Sequence, residues 1–167
     1  MTHAPCVIRN ATSDDLVSVN EIYNHYVRSS TCTYQEVEES LESRKLWFER
    51  HTSPYPVIVA ERGGQIIGWG SLSPFHARSA FRFTVENSVY VHHEHQRQKI
   101  GHVLLSELLV RAKDIKHRAI VAAIDSGQSG SLTLHAKFGF EKVGHLKQVG
   151  YKFGRWLDVV YMELLLW

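Results

Sequence analysis

Two short stretches of this chain carry residue types that could do chemistry. The first is QRQKIGH, residues 96–102, set between the apolar run SVYV (88–91) and the amphipathic run VLLSELLVRAKD (103–114). A helix starting here would offer unpaired backbone N–H groups and the positive end of its dipole, a ready seat for phosphate. Gln98, Lys99, Ile100, Gly101 and His102 are placed to present those N–H groups, and Arg97 and Lys99 add point charges. Gly101 permits close backbone approach. Lys99 stands where a glycine would allow a still closer approach and a positive φ. On this motif alone, a basic helix start with no ligand is an equal reading, and the spacing is neither a Walker loop nor a dinucleotide fingerprint.

The second stretch is rich in histidine. His92, His93 and His95 cluster about Glu94, in a chain with 11 histidines. If this segment is a strand, neighbours point to opposite faces, so His92 and His93 cannot easily share an ion, although His93 and His95 could. No second cluster has ligand spacing, so no metal is expected, and an exposed charged face accounts for the cluster. Cys6 and Cys32 match no zinc motif and are too few for a disulfide scaffold.

Bulk properties narrow the class. A chain of 167 residues, 44% apolar and 22% charged, suits one domain with a substantial core. A net charge of +2 with no Lys/Arg block gives no reason to expect nucleic acid. MTHAPCVIRN lacks the layout of a signal peptide, and the apolar ending VVYMELLLW contains Glu163 and is far short of a membrane span. A reducing, cytoplasmic setting without membrane attachment is expected.

These residues must be held by elements that the patterning predicts. CVIRNA (6–11) reads as a first strand. Leu16, Val19, Ile22, Tyr23 and Tyr26 recur at helical spacing within 14–29, behind the caps Thr12 and Ser13 and the acidic Asp14 and Asp15. A second helix is expected over 40–51, stopped by Pro-Tyr-Pro at 54–56. PVIVAER, Gly63-Gly64 and QIIGWGSLS (56–73) form a hairpin, and ENSVYVHH (86–93) a strand. A helix over 101–116, a buried strand over 119–126, a short helix over 129–140 closed by Gly139, and two tail strands (141–151 and 156–166) complete the reading. The central order strand, helix, strand, helix, strand predicts an α/β domain. A right-handed crossover makes strands 88–92 and 119–125 a parallel pair, with hairpins on both sides.

The series ENSVYVHHEHQRQKIGHVLL and AIDSGQSGSLTLHAKFGF resembles the Gcn5-related N-acetyltransferase (GNAT) superfamily. Its pyrophosphate motif, Gln/Arg-x-x-Gly-x-Gly/Ala, maps onto Gln96 to Gly101 with Lys99 in place of the first glycine. EIYNHYV, FRFTVENSVYVHHEHQ, LHAKFGF and QVGYKFGRWLDVVYM are closer still to the phosphinothricin and methionine sulfoximine (sulfone) N-acetyltransferase branch, and they cover nearly the whole chain.

The resemblance implies a GNAT-like mixed sheet whose parallel strands splay, with acetyl-CoA as donor and a small amino-acid-like amine as acceptor. It puts the pyrophosphate on Arg97 to His102 and the pantetheine arm beside Val89, Tyr90 and Val91. Gln128 falls where relatives usually carry Asn near that arm. Thr84-Val85-Glu86 matches the base motif, which makes Glu86 the general base, and burial would raise its pKa toward neutrality. His135 falls where the branch carries a site histidine, to assist proton transfer or steady the acetyl carbonyl, although a structural helix histidine is nearly as good a reading. The N–H of Tyr90 or Val91 could polarise that carbonyl.

The acceptor set implied is Phe75, His76, Ala77, Arg78, Glu86, Asn87, Ser88 and Tyr151. Arg78 would hold a carboxylate or phosphinate bidentately, with Arg82 a second candidate and Phe75, Phe81 and Phe83 an apolar wall. Tyr151, Lys152 and Trp156 in GYKFGRWLD are expected near the acceptor pocket and a homodimer contact. Two other readings stand beside this one: an acyl-CoA sensor or pseudoenzyme, with Lys99 filling the phosphate turn, and a peptide or protein N-acetyltransferase with a longer open groove.

Overall fold

A computed structural model describes residues 5–167; the first four residues of the N-terminal stretch discussed above lie outside the described residues. Strands β1 (Val7–Asn10), β2 (Val57–Arg62), β3 (Gln65–Pro74), β4 (Thr84–Val91), β5 (Ala119–Asp125), β6 (Glu141–Lys152) and β7 (Arg155–Leu165) make one 7-stranded sheet. Their order is β1-β2-β3-β4-β5-β7-β6. Among the described residues only β4 and β5 run parallel, which is the pair the crossover rule predicts; the other pairings described are antiparallel. Helices α1 (Leu16–Ser29), α2 (Leu41–Glu49), α3 (Ile100–Asp114) and α4 (Ser129–Lys137) cover the sheet.

β3 shows how the sequence sorts its two faces. Gly68 and Gly70 turn toward α3. A Cβ at Gly68 would lie 3.1 Å from Leu104 Cδ1, and one at Gly70 would lie 3.0 Å from Leu108 Cδ1, so both glycines let α3 sit close on the sheet. Leu104, Leu105 and Leu108 are buried there among Ile58, Leu72, Val85 and Ile120. Each such side chain contributes roughly 1.5–3 kcal/mol by leaving water. On the other face Trp69 packs with Val19 and Ile22 of α1.

The structure moves several expected boundaries. The strand expected over 86–93 runs instead from Thr84 to Val91, and His93–His95 form a 3-10 turn. Strand geometry therefore does not keep His92 and His93 apart, contrary to expectation: their rings stack at 4.5 Å, and His93 stacks on His25 at 4.0 Å. No group of three potential metal ligands is found among the described residues. The helix expected over 129–140 stops at Lys137, where Gly139 turns the chain at φ +86°. Ser40 caps α2, accepting from the Ser43 N–H at 3.0 Å. Before α1, Asp15 accepts from the Thr12 N–H at 2.7 Å and is gripped by Arg9 at 2.7 and 2.8 Å.

Candidate active site

β4 and β5 pair at only three positions: Thr84 with Ala119, Val85 with Ile120, and Glu86 with Val121. Beyond Glu86 they part. β4 continues along β3 to Val91, while β5 follows β7 to Asp125. A cleft of about 730 Å³ fills the gap and reaches the start of α3.

Backbone alternation says which groups of β4 face the gap. The Phe83 carbonyl bonds to Ala119 on the β5 side, whereas the Thr84 carbonyl takes the Phe75 N–H and the His92 N–H goes to Ile67, both on the β3 side. Odd positions therefore turn their backbone groups toward β5, and even positions toward β3. Val89 and Val91 offer N–H and C=O groups to the gap, and the Val91 carbonyl already accepts the Tyr26 hydroxyl. Tyr90, expected as a second possible donor to the acetyl carbonyl, has its N–H on the β3 side.

The turn before α3 keeps glycine-like geometry without glycine. Arg97 lies at φ +59° and Lys99 at φ +63°, so the left-handed backbone that usually favours glycine is held by two cationic residues. Lys99 is the N-cap residue of α3 and makes no side-chain cap bond. The first N–H groups of α3 thus open toward the cleft, which Arg97, Lys99, Ile100, Gly101 and His102 line. A Cβ on Gly101 would meet Leu134 at 3.5 Å and Val91 at 3.7 Å, so its absence leaves room against that wall. Gln98, expected among these residues, does not line the cleft; its Oε1 accepts from Arg62 at 2.6 Å.

Glu86, Asn87 and His135 all line the cleft, on two faces of β4. Glu86 shares its face with Tyr90, whose ring stacks on Trp69 at 4.9 Å. No described group hydrogen-bonds or ion-pairs with the Glu86 carboxylate, and burial pushes its pKa above the ordinary value. Asn87 points the other way. Its Nδ2 stands 3.0 Å from His135 Nε2, while His135 Nδ1 stands 2.8 Å from the Ser131 carbonyl. A carbonyl only accepts, so Nδ1 carries the proton and Nε2 accepts from Asn87. His135 is 4% exposed, and burial lowers its pKa, so the ring is neutral near pH 7. Asn87 Oδ1 is buried with no partner.

Five residues expected to bind the acceptor lie outside this cleft. Phe75, His76, Ala77 and Arg78 belong to the loop between β3 and β4, which folds on itself: Phe75 packs on Phe81 at 5.7 Å and His76 on Phe81 at 4.9 Å. Arg78 and Arg82 are exposed. Tyr151 is 53% exposed on β6, against Trp156 at 5.0 Å. Of the acceptor set, Glu86, Asn87 and Ser88 are brought together.

The patterning missed the segment after α1. Thr31 Oγ1 and Tyr34 Oη donate to Asp125 at 3.0 and 2.7 Å, which ties that segment to the end of β5. Lys152 is buried and donates to the Ser30 and Thr33 carbonyls, each at 2.8 Å. Ser30, Thr31, Cys32, Tyr34 and Asp125 form one wall of the cleft. Gln128 lines it too, but its amide nitrogen already reaches Thr31 Oγ1 at 3.2 Å. A run rich in hydroxyl side chains, STCTY at 30–34, was the available signal.

A second cavity of about 390 Å³ lies on the Glu86 face of the sheet, between α2, β3 and β4. It shares two lining residues with the cleft, Ser88 and Tyr90.

Known proteins resemble this chain along its length. Residues 19–140 match the model of the Acetyltransferase (GNAT) family. The L-amino acid N-acyltransferase MnaT of Escherichia coli (strain K12) is 41% identical over 160 residues, covering 95% of this chain and 93% of the relative. An L-methionine sulfoximine/L-methionine sulfone acetyltransferase of Salmonella typhimurium is 39% identical over 160 residues, covering 95% and 94%. The crystal structure of a GNAT superfamily phosphinothricin acetyltransferase from Sinorhizobium meliloti in complex with AcCoA superposes with a TM-score of 0.93 at 38% identity, covering 96% of this chain and 88% of that one. A family match over most of the chain, relatives aligned nearly end to end and a splayed sheet of the same shape lead to one assignment: the chain belongs to the acetyltransferase (GNAT) family.

Proposed function

We propose that this protein is an acetyl-CoA-dependent N-acetyltransferase acting on a small amino-acid-like amine of the phosphinothricin, methionine sulfoximine or methionine sulfone type. The observation that carries the reading is the parting of β4 and β5 just past Glu86, onto a helix start whose N–H groups open into the same cleft. Relatives aligned along nearly the whole chain are named for L-amino acids, for methionine sulfoximine or sulfone, and for phosphinothricin.

When bound, acetyl-CoA supplies the acetyl group as an activated thioester. The α3 turn holds its pyrophosphate through backbone N–H groups, helped by the charges of Arg97 and Lys99. The backbone groups of Val89 would pair with the pantetheine arm as an added strand does. The Val91 N–H, which turns toward the gap, would polarise the acetyl carbonyl. Glu86 would remove the proton from the acceptor ammonium, directly or through water; the neutral amine then forms the amide N–C bond as the thioester C–S bond breaks, and CoA leaves as a thiolate protonated from solvent. A carboxylate without ion pair or hydrogen bond, its pKa raised by burial, is suited to that role near neutral pH. His135, neutral and fixed by Ser131, positions Asn87 on the donor side of the strand.

A homodimer belongs to this reading. β6 is an edge strand exposed along nearly its whole length, and the hairpin it forms with β7 displays Val149, Tyr151, Phe153 and Trp156, each more than half exposed. Four exposed apolar side chains grouped on one hairpin make a surface that a second copy could cover. His76, Ala77 and Arg78 of the β3–β4 loop are exposed and so open to an acceptor or to a second copy. The two free thiols, Cys6 and Cys32, agree with a cytoplasmic setting, and no described helix is long and apolar enough to cross a membrane.

The test is a substrate panel with purified protein and acetyl-CoA, read by release of free CoA. Turnover of at least one of the three named acceptors is expected. CoA binding with no turnover of any amine would make the protein a sensor instead.

A further inference from the structure

The second cavity is built from small residues on the Glu86 face. In the β3–β4 register Trp69 faces Tyr90, Ser71 faces Ser88 and Ser73 faces Glu86. The first row is filled by two stacked rings, but the next holds only two serines, and the space they leave is the cavity. Rows on one face are about 7 Å apart, so the cavity leads from the Glu86 row past the serines toward Trp69.

Arg44 of α2 stands at that far end. It is 5% exposed, with its guanidinium 4.6 Å from the centre of the Tyr23 ring, 4.7 Å from that of Trp47 and 5.6 Å from that of Trp69. Stacking uses the faces of the guanidinium and leaves its in-plane N–H donors free. Nε donates to Asn20 Oδ1 at 3.1 Å. Among the described residues the terminal nitrogens make no hydrogen bond, and Arg44 takes part in no salt bridge. Other donors beside it are also unspent: Trp69 Nε1 and Ser71 Oγ are buried without partners, and both residues line the cavity. The one carboxylate in the lining, Glu39, is hydrogen-bonded to the Ser43 hydroxyl. A buried cation with unused donors, next to two unpaired polar atoms, is an incomplete arrangement that an oxyanion would complete.

We propose that this cavity seats the acceptor and that Arg44 binds an oxyanion of it, making Arg44 a specificity-determining residue for amines that carry a phosphinate or carboxylate. The assignment rests on the N-acetyltransferase reading above and goes beyond it, because it predicts which amines are preferred. The oxyanion has two sources in an amino-acid-like acceptor, the α-carboxylate and the side-chain terminus. Ser88 and Tyr90, shared by cavity and cleft, mark where the amine meets the donor.

Steady-state kinetics of wild type, Arg44→Gln and Arg44→Lys on three amines test this. Phosphinothricin carries both oxyanions, norleucine only the carboxylate, and decarboxylated phosphinothricin only the phosphinate. CoA affinity by calorimetry reports folding of each variant. Arg44→Gln is expected to raise KM for phosphinothricin roughly 10- to 100-fold, the loss of one charged hydrogen-bonding partner, with kcat changed less than about threefold. If the side-chain terminus is held, the decarboxylated amine loses in parallel while norleucine keeps its KM; if the α-carboxylate is held, norleucine loses and the decarboxylated amine does not. Arg44→Lys keeps charge without the fork and should recover part of the loss. Should Arg44→Gln fail to bind CoA, Arg44→Lys carries the test with the same selective pattern. An equal loss on all three amines, or none on any, overturns the inference. Either of those results leaves the acetyltransferase reading standing. CoA binding without turnover of any amine defeats that reading itself.

Discussion

Asn87 donates to His135 Nε2 at 3.0 Å, and the next residue back, Glu86, faces the opposite side of the same strand. Glu86 and His135, the two residues expected to share catalysis, thus lie on opposite sides of β4: Glu86 on the strand face shared with Ser88 and Tyr90, and His135 on α4 against Asn87 of the other face. Asn87→Ala would leave a buried imidazole nitrogen without its partner. A loss of about 1–3 kcal/mol in folding stability is expected, measured by urea unfolding. Because burial holds the His135 pKa below the ordinary imidazole value, His135→Gln should leave the shape of the pH profile unchanged from pH 7 upward.

Glu86→Gln should lower kcat by about 10²- to 10⁴-fold while CoA affinity is retained. Only the ionised carboxylate can accept the proton. Burial raises its pKa, so wild-type kcat/KM should climb with pH through a value above the usual carboxylate range and fall away below it. A profile flat from pH 4.5 to 8 would reject Glu86 as the base.

Lys99→Gly relieves a lysine held at φ +63°. A gain of about 1 kcal/mol is expected, a rise of roughly 2–4 °C in Tm. CoA affinity should fall modestly from loss of a charge, and the fall should shrink as salt is added. A sharp rise in CoA affinity would identify the lysine as an obstruction.

Gly150→Ala places a methyl 2.5 Å from the Tyr34 ring, which in turn holds Asp125 at 2.7 Å. Overpacking of about 1–3 kcal/mol is expected, together with a weaker CoA affinity if the 30–34 wall shifts. Calorimetry reads both.

Trp156→Glu puts a charge into the apolar hairpin face. Sedimentation should show a dimer for wild type and a monomer for the variant; a wild-type monomer at high micromolar concentration would reject the dimer.

Much of the fold was legible because its elements are strongly patterned. The α1 stripe, the Gly63-Gly64 hairpin, the β5 run and the α3 stripe each announce one element, and the crossover rule supplied the parallel pair. Where patterning met a turn it went astray: His92 and His93 continue an apolar strand in composition, yet the chain has already left the ladder at Val91. The donor side of the site was readable because one contiguous stretch, 86–102, builds most of it. The other walls were not, since Tyr34 meets Asp125 across 91 residues, and Arg44 meets Trp69 only once α2 has been laid on β3. No local period encodes such meetings.

The short β4–β5 pairing has a mechanical meaning. Four strands on one side and three on the other are joined by three ladder positions, whereas β3–β4 and β5–β7 each hold seven. The central seam is therefore the least-bonded line inside the sheet. Compliance is concentrated where the donor enters, and a ligand lying in the gap would stiffen the molecule across its middle.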